Sequence, residues 1–106
     1  MRLCLLINPT DNWQQAVAHA RKLVTASAEK HEVIGLFFYG SAAKIIADPK
    51  QQAQWLSFSN IPLYICRTMV EQHNLCDELL EPPFTVIGMA PWVVLMEQAD
   101  RIVEII

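Results

Sequence analysis

The sequence predicts an α/β domain, a small and mainly parallel β-sheet with helices on both of its faces. Three observations carry this. Apolar runs rich in β-branched and aromatic residues alternate with segments of helical spacing along the whole chain. The joints between them are short, so segments adjacent in sequence pack as neighbours in space. The first run is apolar at every position, as expected of a strand covered on both sides.

That first run is Leu3–Ile7, ended by Asn8-Pro9. Thr10-Asp11-Asn12 supplies capping side chains for a helix over Trp13–Ala28, whose stripe is Ala16, Val17, Ala20, Leu23 and Val24. His19, Arg21 and Lys22 lie off the stripe. Glu32–Tyr39 (EVIGLFFY) is a second strand, stopped by Gly40. Ser41–Ala47 and Gln51–Ser57 read as short helices separated by Asp48-Pro49. Ile61–Ile65 is a third strand, with Pro62 allowed only at its start or on an unpaired side. Cys66–Gln72 continues as helix, and Asn74 suits the left-handed position that ends one. Cys76–Leu80 forms a further turn before Pro82-Pro83. Phe84–Ile87 is a short strand, Gly88-Met89-Ala90-Pro91 opens a last helix, and Ile102–Ile106 closes the sheet.

A chain of 106 residues is one domain by size. Mass scaling gives it a folded surface of roughly 6,000 Å² against roughly 17,000 Å² unfolded, enough burial for a core without staples. With 53% hydrophobic residues it is not a disordered segment. The formal charge of −3 offers no basic excess for nucleic acid. No apolar stretch approaches the ~20 residues that cross a bilayer. The opening apolar run stops short of a signal-peptide core, so a reducing cytoplasm is the expected location. The segment Met89–Met96 (MAPWVVLM) is apolar all round, and the chain closes on the apolar Val103–Ile106. In so small a domain this points to a subunit interface.

The three cysteines, Cys4, Cys66 and Cys76, form no CxxC pair and no metal-ligand spacing. Neither a metal site nor a disulfide framework is expected. Cys66 stands where a strand hands over to a helix, the end of a parallel sheet at which reaction sites gather. There the free N–H groups of the helix and the neighbouring Arg67 both favour a thiolate. The bland alternative is a packed core cysteine. Cys76 would be about 15 Å from Cys66 along a continuous helix, too far for a disulfide without a bend. Cys4, inside the first strand, is core. His73 caps or decorates a helix end, while His19 and His31 belong to a polar helix face and its exit. Asp77, Glu78 and Glu81 form a solvated acidic cluster, and Trp13, Trp55 and Trp92 are core or interface residues. No GxGxxG, P-loop or GxSxG is present, so nucleotide binding and serine hydrolysis lack a foothold.

Three pieces in this order resemble a known family. They are the strand Leu36-Phe37-Phe38-Tyr39, the junction Ile65-Cys66, and the tail Phe84–Met89 followed by Gln98-Ala99-Asp100-Arg101-Ile102-Val103. Together they are similar to the DsrE/TusD-type sulfur-relay proteins over nearly the whole chain. The resemblance implies a flavodoxin-like layering and a trimeric or hexameric assembly. That assembly would be homomeric or shared with DsrF/TusC- and DsrH/TusB-like subunits. It implies that Cys66 accepts sulfur as a persulfide; Arg67 is the supporting residue by its charge beside the thiol and not by the resemblance. The sulfur would come from and pass to small partner proteins (TusA-like, DsrC/TusE-like), without metal or organic cofactor. The chain departs from the family pattern after Cys66, where Arg67-Thr68-Met69-Val70 replaces small residues followed by an R-R-G run. It departs again at Ile87-Gly88-Met89-Ala90, where the family has S-G-L-G. Those changes bear on partner choice, and the segment between Tyr39 and Trp55 is also shorter than in the family. A second reading is a non-catalytic assembly or regulatory subunit whose cysteine is only packed. A third is a small-ligand domain built around Trp92.

Overall fold

The computed structural model describes residues 1–27, 29–58, 60–75, 80 and 84–106. Five strands make one sheet in which every pairing is parallel: β1 (Arg2–Ile7), β2 (Glu32–Phe38), β3 (Leu63–Cys66), β4 (Phe84–Ile87) and β5 (Arg101–Ile105). Their order across the sheet is β4-β3-β2-β1-β5. Among the described residues four α-helices connect them: α1 (Trp13–Ser27), α2 (Pro49–Ala53), α3 (Arg67–Gln72) and α4 (Met89–Gln98). Two 3-10 segments, Gly40–Ala47 and Leu56–Phe58, flank α2.

This order fixes which face each helix covers. From β1 to β4 the chain steps steadily towards one edge, and from β4 to β5 it crosses back to the other. Right-handed crossovers taken in opposite directions land on opposite faces. The helical segments before β4 therefore share one face and α4 takes the other. Side-chain alternation agrees: Leu5, Leu36, Leu63 and Ile65 join Val17, Val24 and Trp55 in the larger core. Cys4, Phe37 and Cys66 point the other way and gather around Trp92.

The local chemistry accounts for most of the element ends. The Asn12 side chain accepts a hydrogen bond from the Gln15 N–H (3.1 Å) and caps α1. Asp48 does the same for Gln51 (3.2 Å) with Pro49 first in the helix. The Asp48-Pro49 pair thus starts α2 rather than merely separating two helices. The segment before it winds as 3-10, and the helix expected over Gln51–Ser57 breaks after Ala53 into a turn and a second 3-10 segment. Pro62 comes immediately before β3, and its carbonyl accepts an inter-strand bond from Leu36 N–H at 3.1 Å. Asn74 takes φ 53°. Its N–H reaches Glu71 O (3.1 Å) and that of Leu75 reaches Val70 O (2.8 Å), a Schellman ending for α3. The turn expected at 76–80 and the acidic residues Asp77, Glu78 and Glu81 lie outside the described residues, apart from Leu80.

One irregularity is built into the sheet. Leu3 pairs with Val33 but Cys4 with Gly35, so β2 carries an extra residue there. A Cβ on Gly35 would stand 2.5 Å from Leu95 Cδ2, so α4 rests closely on the sheet there.

Candidate functional site

In open parallel sheets the crevice for ligands opens where two adjacent strands send their chains to opposite faces. Here that point lies between β3, which continues into α3, and β4, which continues into α4. The last pair of their ladder is Cys66 with Ile87. Cys66 is both the final residue of β3 and the N-cap of α3, with extended backbone (φ −68°, ψ 119°). Beside Ile87, Gly88 holds the matching position for α4. Neither helix start is capped by a side chain. Two sets of first-turn N–H groups thus face the same end of the sheet, an environment that suits an anionic sulfur.

The sulfur itself is placed differently from the sequence expectation. Cys66 is 0% exposed, and its side chain makes no hydrogen bond to the first turn of α3. Alternation along β3 turns it to the α4 face, into a cluster with Phe37, Trp92 and Cys4. Helix α4 starts at the β4 edge and comes to rest over β1 and β2, so its first turn passes across the end of β3. That path roofs Cys66. Trp92 stacks on Phe37 with ring centroids 4.8 Å apart and planes 12° from parallel, and its indole N–H has no acceptor among the described residues. At Gly88 the crevice is open, for a Cβ built there would meet nothing within 4 Å among the described residues.

The other candidates are scattered. Arg67 is exposed on the first residue of α3. Cys4 is buried and its thiol donates to Leu95 O at 3.8 Å. Burial pushes the Cys4 thiol up, with Arg2 pulling weakly the other way. It is an inert core group. His73 is the exposed C-cap residue of α3, and His19 is exposed on α1. Trp55 and Trp92 are both fully buried, on opposite faces of the sheet. Cys76 lies outside the described residues. Among the described residues no three His, Cys, Asp or Glu side chains gather to hold a metal ion. The reading of the sequence missed Gly35, where α4 rests on the sheet, and gave Gly88 as the opening of the last helix without its place at the crevice mouth. A lone glycine inside the β-rich EVIGLFFY run was the available signal for the first.

The features so far define a parallel-sheet α/β domain with a cysteine at its topological switch point. The chain belongs to the DsrE/DsrF-like family, whose model matches residues 1–105. Proteins of that family are generally related to sulfur relay and generally work in sulfur-relay complexes. Among solved structures the chain is similar to the ychN protein from E. coli, with a TM-score of 0.68. The alignment covers 98% of this chain and 99% of that one at 12% identity, so it speaks for the fold alone. No curated protein matches the sequence.

Proposed function

We propose that this protein is a cytoplasmic sulfur carrier in which Cys66 accepts sulfur as a persulfide and passes it to a thiol on a partner protein. The observation that carries the reading is the position of Cys66. It ends β3 at the switch point and holds the N-cap position of α3, and family membership supports the sulfur chemistry.

The chemistry needs no net redox change. The Cys66 thiolate attacks the outer sulfur of a donor R–S–SH, forming Cys66–S–SH and releasing R–S⁻. An acceptor thiolate then attacks that same outer sulfur, and Cys66 leaves as a thiolate. Uncapped N–H groups at the starts of α3 and α4 stabilise negative charge at this end of the sheet in both steps. Because Cys66 is closed off in the single chain, transfer requires the first turn of α4 to move aside. Gly88, with open space around it, is the natural pivot. Arg67, exposed beside the crevice, adds a fixed positive charge for an approaching anionic donor or partner.

The full burial of Cys66 favours a second reading, an assembly or regulatory subunit of a sulfur-relay complex whose cysteine is packed and unused. One experiment separates the two. The parent and Cys66→Ser are incubated with a small persulfide donor and with a cysteine-desulfurase system, then weighed intact and after digestion. A carrier gains one sulfur on the peptide holding Cys66, reversibly by reductant, and Cys66→Ser gains none there. Equal loading of both proteins, or no loading until the chain is unfolded, removes the carrier reading and leaves the subunit one.

We also propose that the protein works as an oligomer, homomeric or with related subunits, through the outer side of α4. Met89 (45% exposed), Val93 (41%) and Val94 (56%) stand exposed there, uncovered by the described residues. Intramolecular contacts bury Trp92 alone on this helix.

A further inference from the structure

The face of the sheet that holds Cys66 carries a second polar group without a partner. Trp92 is fully buried, and its indole N–H finds no acceptor among the described residues, the Cys66 sulfur included. A buried donor left unpaired is costly unless an acceptor arrives in the working cycle. The indole of Trp55 is orphaned as well, but it packs against Phe38 and Phe58 on the opposite face, in a cluster whose described members include no cysteine. Trp92 instead shares a buried cluster with Cys66, Cys4 and Phe37. Of the two sulfurs Cys4 is already committed, its thiol donating to Leu95 O. The ring is also turned the right way. Its Cζ3, at the end of the indole remote from Nε1, is 3.5 Å from where a Cβ on Gly35 would stand. Phe37, on which the ring stacks, is two residues further along β2 and pairs with Tyr64. Cys66 is the next residue of that face beyond Tyr64. Along the face the order is Gly35, then Phe37 with Tyr64, then Cys66, and the N–H edge is on the side of the ring away from Gly35.

We propose, on the carrier reading above, that the Trp92 indole N–H donates to the outer sulfur of loaded Cys66, an acceptor the chain possesses only while it carries cargo. Loading sets the new sulfur about 2 Å beyond Cys66 Sγ, which brings it to a donor that the resting thiol does not reach. In that step the Cys66 thiolate displaces R–S⁻ from R–S–SH, and the outer proton passes to R–S⁻. The products are R–SH and the anion Cys66–S–S⁻, with no net oxidation or reduction. An N–H bond to that anion is stronger than one to a neutral thiol, so the donor favours the loaded and ionised form. Trp92 lies in the first turn of α4, the turn that covers Cys66. The bond therefore fastens this turn over the cargo. Moving the turn aside for the acceptor thiolate withdraws the donor and leaves the outer sulfur open to attack.

The test uses nuclear magnetic resonance on the whole ¹⁵N-labelled chain, whose three tryptophans give three indole N–H signals. A second chain carries benzothienylalanine at position 92, a tryptophan of the same shape with sulfur in place of N–H, and identifies the Trp92 signal by its absence. Both are loaded with a small persulfide donor, and intact mass confirms the gain of one sulfur at Cys66. On loading, the Trp92 proton should move downfield and exchange more slowly with solvent, while the signals of Trp13 and Trp55 stay in place. Cys66→Ser under the same treatment should show no shift. The near-ultraviolet band of the persulfide anion, titrated in the two loaded chains, should have its midpoint about one pH unit higher in the analogue. Should the analogue fold poorly, the parent alone decides, for one of its three signals must move and the other two must not. A loaded parent in which none moves, or equal midpoints in the two chains, overturns the role of Trp92 and leaves the carrier standing. Failure of Cys66 to gain sulfur overturns both.

Discussion

Two buried sulfurs on one face of the sheet show how much a single residue's surroundings decide. Cys4 lies mid-strand, donates to Leu95 O and has its thiol raised by burial. Cys66 lies at the strand's end, where two helix starts converge. The position of Cys66 at a strand-to-helix junction was legible in the run IPLYIC followed by RTMV, since composition changes there from β-rich to helical. Its burial was not, because the roof comes from residues more than twenty positions later whose path depends on strand order. The raised Cys4 thiol leads to a pH dependence with a definite sign. The unfolded chain releases the Cys4 proton near the ordinary value of 9.0, while the folded chain holds it to higher pH. Its contribution to stability is therefore full below that value and is lost as pH rises through the folded one. Urea melts of the parent and Cys4→Ala between pH 7 and pH 11 should show the parent losing more stability over the alkaline half. Parallel curves would rule this out.

Among the elements, those with caps or strong patterns were the ones the sequence located well. α1 starts where Asn12 caps it, and β4 occupies the expected Phe84–Ile87. The stretch from Gly40 to Phe58 was harder, because 3-10 and α turns share nearly the same apolar spacing over so few residues. What set its boundaries was Asp48, read as a separator and used as a cap. Asn74 was read correctly, since few side chains other than Asn or Gly tolerate the left-handed turn that α3 ends on. Asn74→Ala should cost about 1 kcal/mol in chemical denaturation, from the strain of an alanine at positive φ. Asn74→Gly should be neutral or slightly stabilising. If both substitutions cost the same, the Asn74 side chain rather than its backbone is what matters.

For the molecule as a whole, the parallel α/β layering followed from alternation alone, whereas the order β4-β3-β2-β1-β5 did not. Nothing in the residues of β5 announces that it will lie beside β1 rather than beside β4. That choice sends α4, alone among the described helices, across one face of a five-stranded sheet, a face too broad for a helix of ten residues. The result is an apolar strip along Met89, Val93 and Val94, with Ile102 (47% exposed) on the edge strand. Under the assembly proposed above, the parent should run as a multimer in native mass spectrometry at micromolar concentration. Val94→Glu should shift it to single chains with an unchanged circular dichroism spectrum. A parent that is already monomeric would dismiss that surface as an interface.

The placing of β5 also has a consequence for how the molecule comes into being. β1 is hydrogen-bonded to β2 on one side and to β5 on the other, and Arg2 N–H reaches the Asp100 carboxylate at 2.7 Å. During synthesis the opening strand therefore waits with one row of amide and carbonyl groups unsatisfied until the fifth strand has left the ribosome. Throughout that interval a strongly apolar ribbon is available to any other nascent chain. Final closure of the domain is a zip between its beginning and its end, and the polypeptide must be shielded until the zip is drawn.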